Sequence, residues 1–449
     1  MPKGNPMTNM SITNCIANYA VNTAAGDIPE SARQITRLSV LDWLAVSIAG
    51  RDEPVSQVVR SVAEDEGGSA QANIFGSTKA FPARSAALAN GAISHALDYD
   101  DTHFLHIGHP SVGIIPAALA MAQQIGSSRD EWLDAVLMGM EASCRFGDWL
   151  GRSHYNKGFH QTATAGSIGA TVAAARLLKL SVEQTQYALG LAATRTSGLK
   201  CQFGTMGKPY HAGMAAANGV EAAKLAAAGF VSRPDALECE QGLAWTHHAE
   251  CNAQAFDNLG ETYVFESVQH KLHACCHGTH AALEAIIEAR DTHHIKPEAI
   301  EKVEIRTQAP WLKVCDIPEP KTGLEAKFSY RMTTAMVLNG YDTAAITSFD
   351  DAICEIPSLV ALRDRVLAVA DENITETQAT VIFTLKPGSS ISVFHDLAGS
   401  VPYETRAKKV KAKAATLLGQ ALMEQLWAVV DGSIENLNAL AFAFEANAD

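Results

Sequence analysis

The sequence is short of charge and has no long apolar run, and these two shortages exclude several classes of protein at once. Charged side chains make up 19% of the 449 residues while 47% are hydrophobic; an average globular chain carries roughly 25% charge. Disorder needs the opposite balance, so the chain is expected to fold around a sizeable core. No stretch approaches the roughly 18 uninterrupted apolar residues of a membrane-spanning helix. The opening MPKGNPMTNMSITN lacks the basic-then-apolar order of a signal peptide. Basic residues are also in deficit: 35 Lys and Arg against 49 Asp and Glu leave a net charge of −14. That disfavours nucleic acid, whose binding depends on basic surface that displaces counterions. A few local donors can outweigh net charge inside a cleft, so an anionic small molecule stays open. Nine scattered cysteines, an odd number, read as reduced thiols. The expectation is a cytoplasmic enzyme of two or three domains, with no membrane and no nucleic-acid partner.

Helical periodicity is what the chain has in abundance. In ARQITRLSVLDWLAVSIAG, residues Ile35, Leu38, Leu41, Leu44, Ala45 and Ile48 recur at the three-and-four spacing of a buried stripe, with Gly50 as a stop. Further helices are expected over 82–96, 110–126, 129–147, 162–179, 182–195 and 212–228. GSIGATVAAARLL and HAGMAAANGVEAAKLAAAG are dense in Ala and Gly, which lets helix axes approach closely. No strand–helix alternation and no GxGxxG after a strand are present, so a dinucleotide-binding sheet is not expected. After about residue 266 the texture changes. A helix over 279–290 leads into EKVEIRTQ, where Val303 and Ile305 alternate with Lys302, Glu304 and Arg306 as in a half-buried strand. A helix is expected over 327–339, and QATVIFTLKPGSSISVF reads as a hairpin turning at Lys386-Pro387-Gly388-Ser389. Residues 404–430 return to helix; the basic run Lys408, Lys409, Lys411 and Lys413 reads as a solvated face. The expected class is mainly α: a large all-helical domain from 1–266 and 401–449, and a smaller α+β domain over 267–400.

Four segments concentrate polar residues in apolar surroundings. The first holds His95, Asp98, Asp100, Asp101, Thr102, His103, His106 and His109, followed by Pro110 and Ser111. Singly, the three aspartates read as caps for backbone donors; as a cluster with four imidazoles they read as a site for proton transfer or for a divalent ion. The second is Gly158-Phe159-His160-Gln161-Thr162, a histidine at a helix start where an anion is favoured, or else an ordinary loop residue. The third is Phe203-Gly204-Thr205-Met206-Gly207-Lys208-Pro209-Tyr210-His211, where Lys208 and His211 can meet a carboxylate. It is no phosphate-binding GxxxxGK[ST] loop, because Pro209 follows the lysine. The fourth is His273-Ala274-Cys275-Cys276-His277-Gly278-Thr279-His280. His273 and His277 on one helix face are a possible zinc pair, but no partner CxxC exists and adjacent cysteines point their thiols apart.

Together, and in this order, these segments resemble the MmgE/PrpD family, from LDWLAVSIAG through NGAISHALDYDDTH, HPS, FGTMGKPYHAG and HACCHGTH to EAKFSY. Members include 2-methylcitrate dehydratase, cis-aconitate decarboxylase and iminodisuccinate epimerase. The resemblance implies an all-helical domain with an α+β lid, a homodimer, and no metal or organic cofactor. Carried over by motif, it implies Asp98, His109, His160, Lys208 and His280 as catalytic. Thr102, His103, His211, His277 and Tyr330 are expected to bind substrate. Between Thr102 and His109 the chain is one residue longer than the decarboxylase pattern.

The family's substrates are small polycarboxylates, and its reactions share a carbanion-like centre next to a carboxylate. Such a site needs cationic donors, here expected to be Lys208, His211 and His280, and one acid–base group, expected to be His109 with Asp98. The leading expectation is a hydro-lyase resembling 2-methylcitrate dehydratase. The alternatives are decarboxylase or epimerase chemistry, or a non-catalytic helical dimer that binds a carboxylate.

Overall fold

Helices form where apolar residues recur at helical spacing, and small residues set how closely those helices approach. The structure, a computed structural model, describes residues 11–432 and 437–445. The first ten residues, on which the signal-peptide expectation largely rests, lie outside that range. The chain divides into two compact units, Met1–His270 with Leu418–Asp449, and Lys271–Leu417.

The first unit contains α1 (Ile12–Asn22), α2 (Glu30–Gly50), α3 (Pro54–Glu66), α4 (Ala83–Ser94) and α5 (Ser111–Ile125). It continues with α6 (Arg129–Lys157), α7 (Gln161–Leu177), α8 (Val182–Ala193) and α9 (Gly207–Ala227). Almost every residue of α7 is buried. Its Gly169 faces Gly139 of α6 so closely that a Cβ there would lie 2.5 Å from the Gly139 carbonyl oxygen. Likewise a Cβ on Gly213 of α9 would lie 2.3 Å from the Leu88 oxygen of α4, so both crossings depend on the missing side chain. A short antiparallel pair, β1 (Ala72–Asn73) with β2 (Ala80–Phe81), means that this unit is not all-helical.

Three boundaries differ from expectation. Gly50 lies within the last turn of α2, and the cap is Arg51. Helix α6 runs on to Lys157 and bends at Gly151, whose φ of 72° a glycine adopts without a Cβ clash. Helix α9 begins at Gly207 rather than at 212. Pro209 sits in its first turn, where backbone N–H groups have no intrahelical acceptor and proline removes nothing.

In the second unit a four-stranded sheet has the order β4-β3-β5-β6, with β3 (Ile300–Thr307), β4 (Val366–Ala370), β5 (Gln378–Leu385) and β6 (Ser389–Asp396). Strand β3 runs parallel to β4 and antiparallel to β5, which pairs with β6. Val303, Ile305, Val381 and Phe383 are buried on one face, as the alternation requires. Ser389 pairs with Leu385, so the hairpin turn is Lys386 to Gly388. The helix His280–His293 forms as expected, whereas the stretch 327–339 is helical only over Tyr330–Leu338, after a Ser329 cap.

The basic helix Tyr403–Leu418 belongs almost wholly to this unit, past the expected boundary at residue 400. Gly419, at a φ of 78°, separates it from the next helix, Gln420–Asp431. The basic run is not a uniformly solvated face: Lys413 is buried and Lys409 pairs with Glu284. Among the described residues no helix is long and apolar enough to cross a membrane.

Candidate functional site

The loop between α4 and α5 folds back on itself, and the starts of α7 and α9 bring further side chains to it. His95, which caps α4, donates from Nδ1 to Oδ1 of Asp100 at 2.8 Å, and neither side chain is exposed. The second carboxylate oxygen of Asp100 lies 2.8 Å from Nδ1 of His109, an ion-pair distance at a slanted angle. Burial by itself would raise the Asp100 pKa, but His95 and His109 on either side outweigh it and hold the carboxyl well below its usual range.

Asp98 sits at a φ of 51°, a left-handed state that aspartate tolerates better than most residues. Its side chain is half exposed. Oδ2 accepts the ammonium of Lys208 at 2.7 Å, and Oδ1 lies 3.6 Å from Nε2 of His109. His160 caps α7, and its Nδ1 lies 3.1 Å from Nδ1 of His211 on α9. One of these nitrogens must donate and the other accept, which requires a neutral acceptor ring. The ring of His160 also meets Phe203 edge-on at 4.9 Å. Burial, then the neighbouring His95 and Lys208, holds His160 well below the usual imidazole range and pushes His211 down to about 4. His211 is therefore a neutral hydrogen-bonding group near pH 7, not the cationic donor expected from sequence. Lys208, in the first turn of α9, supplies the positive charge.

Other residues of the loop build it. Asp101 accepts from the backbone and hydroxyl of Ser111 at 3.1 and 2.8 Å, and so caps α5. Burial, then the neighbouring Asp100 carboxylate, lifts Asp101 to about 8. Thr102 exchanges backbone hydrogen bonds with Gln269. His103, expected to bind substrate, is buried and its two ring nitrogens are engaged internally. Nδ1 accepts from the His106 backbone, and Nε2 lies 2.9 Å from the Val264 carbonyl and from Ser267 Oγ. Burial pushes His103 down to about 4.

The second unit holds a separate histidine group. No helix spans His273 and His277; a single 3-10 turn, His277–Thr279, precedes the helix that starts at His280. His273 instead has Nδ1 2.7 Å from Thr343 Oγ1 and Nε2 3.3 Å from Glu284, so it does not share a helix face with His277. The His280 ring lies 5.0 Å from both His273 and His277. Burial, then His277, His273 and Lys271, keeps His280 well below the usual range, and so neutral rather than cationic. Tyr330 is buried, donates to the Gly278 carbonyl at 2.6 Å and lies 3.1 Å from Thr307 Oγ1. It props the turn that carries His277 and His280 rather than presenting its hydroxyl to a ligand.

Sequence reasoning put His95 and Asp100 in the polar cluster but singled out neither as a catalytic or binding residue. The only sequence signal for Asp100 was its membership of the polar cluster, since its contacts come from a chain reversal that no periodicity encodes. His95, Asp98, Asp100 and His109 bring four metal-type donors within 4.8 Å. They suit an ion poorly, because the Lys208 ammonium sits on Asp98 and both Nδ1 atoms face Asp100.

Comparison with known proteins matches both parts of the chain. Residues 14–251 match the MmgE/PrpD N-terminal domain, and residues 273–436 match the MmgE/PrpD C-terminal domain. The chain is 24% identical over 444 residues to cis-aconitate decarboxylase of Homo sapiens, covering 94% of this chain and 91% of the human one. It is 27% identical over 302 residues to a cis-aconitate decarboxylase-like protein of Aspergillus oryzae, covering 64% of this chain and 61% of that one. It is also 27% identical over 292 residues to cis-aconitate decarboxylase of Aspergillus terreus, covering 61% and 59%. The match thus spans less than two thirds of the length of each fungal relative. With both domains matched in order, the chain belongs to the MmgE/PrpD family.

Proposed function

We propose that this chain is a lyase acting on a small di- or tricarboxylate, in which Lys208 holds a carboxylate and His109 moves a proton at the neighbouring carbon. One observation carries the reading: an ammonium and an imidazole converge on a single carboxylate, that of Asp98. A substrate carboxylate at the same place would have its charge offset by Lys208, while an adjacent carbon lies within reach of Nε2 of His109. His160 and His211 add neutral hydrogen-bonding groups beside it. In dehydration a proton leaves that carbon and a β-hydroxyl departs as water. In decarboxylation the C–CO2 bond breaks, the electron pair stays on carbon, and a proton is delivered to it.

The hydro-lyase version, on a substrate like 2-methylcitrate, follows from the family resemblance. The carboxy-lyase version draws support from the relatives, two of which are named cis-aconitate decarboxylase and one cis-aconitate decarboxylase-like. The same reading takes the enzyme as independent of metal or organic cofactor, the α+β unit as the family's lid, and His280 as a catalytic group. The test is incubation with methylcitrate, cis-aconitate or iminodisuccinate in deuterated water, with products identified by NMR. Water loss, carbon dioxide loss or deuterium exchange tells the chemistries apart. No change in any of the three substrates would overturn the proposal.

A further inference from the structure

Resting on the proton-transfer role of His109 proposed above, we infer that Asp100 is its positioning residue: it keeps the imidazole proton on Nδ1 and leaves Nε2 as the reacting nitrogen, while His95 anchors Asp100 from the other side. Asp98, the partner expected from sequence, is poorly suited to that task. It is half exposed, bound to Lys208, and 3.6 Å from the opposite nitrogen of His109.

Asp100 has no exposed surface, and its two oxygens face two different imidazoles, each at 2.8 Å from an Nδ1 atom. An ionised carboxylate can only accept, so both rings must turn a protonated Nδ1 towards it. The unprotonated nitrogen of His109 is then Nε2, which faces Asp98, the carboxylate that Lys208 also meets. When Nε2 takes a proton, the Asp100 carboxylate offsets the new charge without moving. The neighbouring Asp101 meets the backbone and hydroxyl of a helix start through one oxygen. Asp100 is committed to side chains instead.

Other charged or titratable groups face this pair. Asp101 lies next to it in the chain and Asp42 of α2 lies beyond Asp101. Lys208 and His211 come from α9, and His160 comes from the start of α7. Within this group, however, the carboxylate contact to Nδ1 of His109 is made by Asp100.

The test is long-range nitrogen–proton NMR on the full chain labelled with 15N-histidine, in wild type and Asp100→Asn. Wild-type His109 should carry its proton on Nδ1. In Asp100→Asn the side-chain amide can donate to one ring, so His109 should move towards the Nε2-protonated form. Its kcat should fall by about 10²–10⁴-fold, with KM changed no more than a few-fold. Finding wild-type His109 protonated on Nε2 would overturn the inference, as would a folded Asp100→Asn protein with unchanged tautomer and kcat. If Asp100→Asn does not fold, the wild-type tautomer decides alone. Absence of turnover with every polycarboxylate would sink the proposed function, yet the tautomer measurement still decides the role of Asp100.

Discussion

The ammonium of Lys208 lies 2.7 Å from Oδ2 of Asp98, so the cation of the cluster is already occupied by a carboxylate supplied from the neighbouring loop. An incoming substrate carboxylate must share or take over that contact. A charge-assisted hydrogen bond contributes about 1.5–3 kcal/mol. Lys208→Ala should therefore raise KM and lower kcat/KM by about 10- to 100-fold. Arginine should restore the charge but not full activity, because its planar fork places donors differently. Steady-state kinetics with the substrate identified by NMR checks this, and an unchanged KM in Lys208→Ala would count against it.

His109→Ala should behave differently. Its kcat should drop by about 100- to 10,000-fold with little change in KM, and the pH–rate profile should lose one limb. His109 lies just before α5 and its backbone donates to Thr162 Oγ1, so circular dichroism must first show a folded variant. Near-normal turnover in a folded variant moves the proton-transfer role to His160 or His280.

Asp101 links the loop to pH-dependent stability. Its pKa rises from 3.8 to about 8 on folding, so the native state holds a proton that the unfolded state releases. The stability this contributes is complete below pH 3.8 and is lost as the pH climbs towards 8, by about 1.4 kcal/mol per pH unit. Asp101→Asn cannot ionise and keeps an acceptor for Ser111. Denaturant unfolding at pH 5 and pH 8 should show the variant gaining on wild type at the higher pH. Parallel behaviour at both values would refute the linkage.

Glu284 has the opposite sign. Burial alone would raise its pKa, but His273 and Lys409 outweigh it and bring it from 4.5 to about 2. Its contribution is present above pH 4.5 and is lost as the pH falls towards 2. Glu284→Gln should cost on the order of 1–3 kcal/mol at pH 7, with the deficit shrinking in acid. Urea titrations at pH 7 and pH 3 measure it, and an equal deficit at both would rule it out.

We propose a homodimer as well, as the family resemblance implies. Leu199 and Met206, before α9, and Tyr210, in its first turn, are large apolar side chains left exposed, and Trp245 in the same unit is 67% exposed. A partner's surface would cover such side chains. Sedimentation should give about twice the chain mass of 47.8 kDa. A fully active species at the mass of one chain would exclude the dimer.

Much of the architecture was legible because helix and strand formation is local. The stripe from Ile35 to Ile48, the Ala/Gly runs of α7 and α9, and the alternation of Val303 and Ile305 each express a period that neighbouring residues enforce on one another. Short elements escaped for the same reason. The five residues of β4 carry too little period to distinguish strand from helix, and α1 and α3 were not foreseen either. The dense polar loop was also legible, since three aspartates and four histidines amid apolar helices stand out by composition alone.

Which of those groups meet is another matter. Composition does not distinguish Asp98 from Asp100 as the partner of His109, or the inward-bound His103 from His109, because each pairing depends on how the loop reverses between α4 and α5. Protonation is further removed from the sequence. His160 and His211 are neutral, Asp101 holds a proton and Lys413 is buried because packing withdraws water and brings charges from distant helices next to them. Periodicity is an energy between near neighbours in the chain. Desolvation and charge pairing arise only once remote segments are in contact.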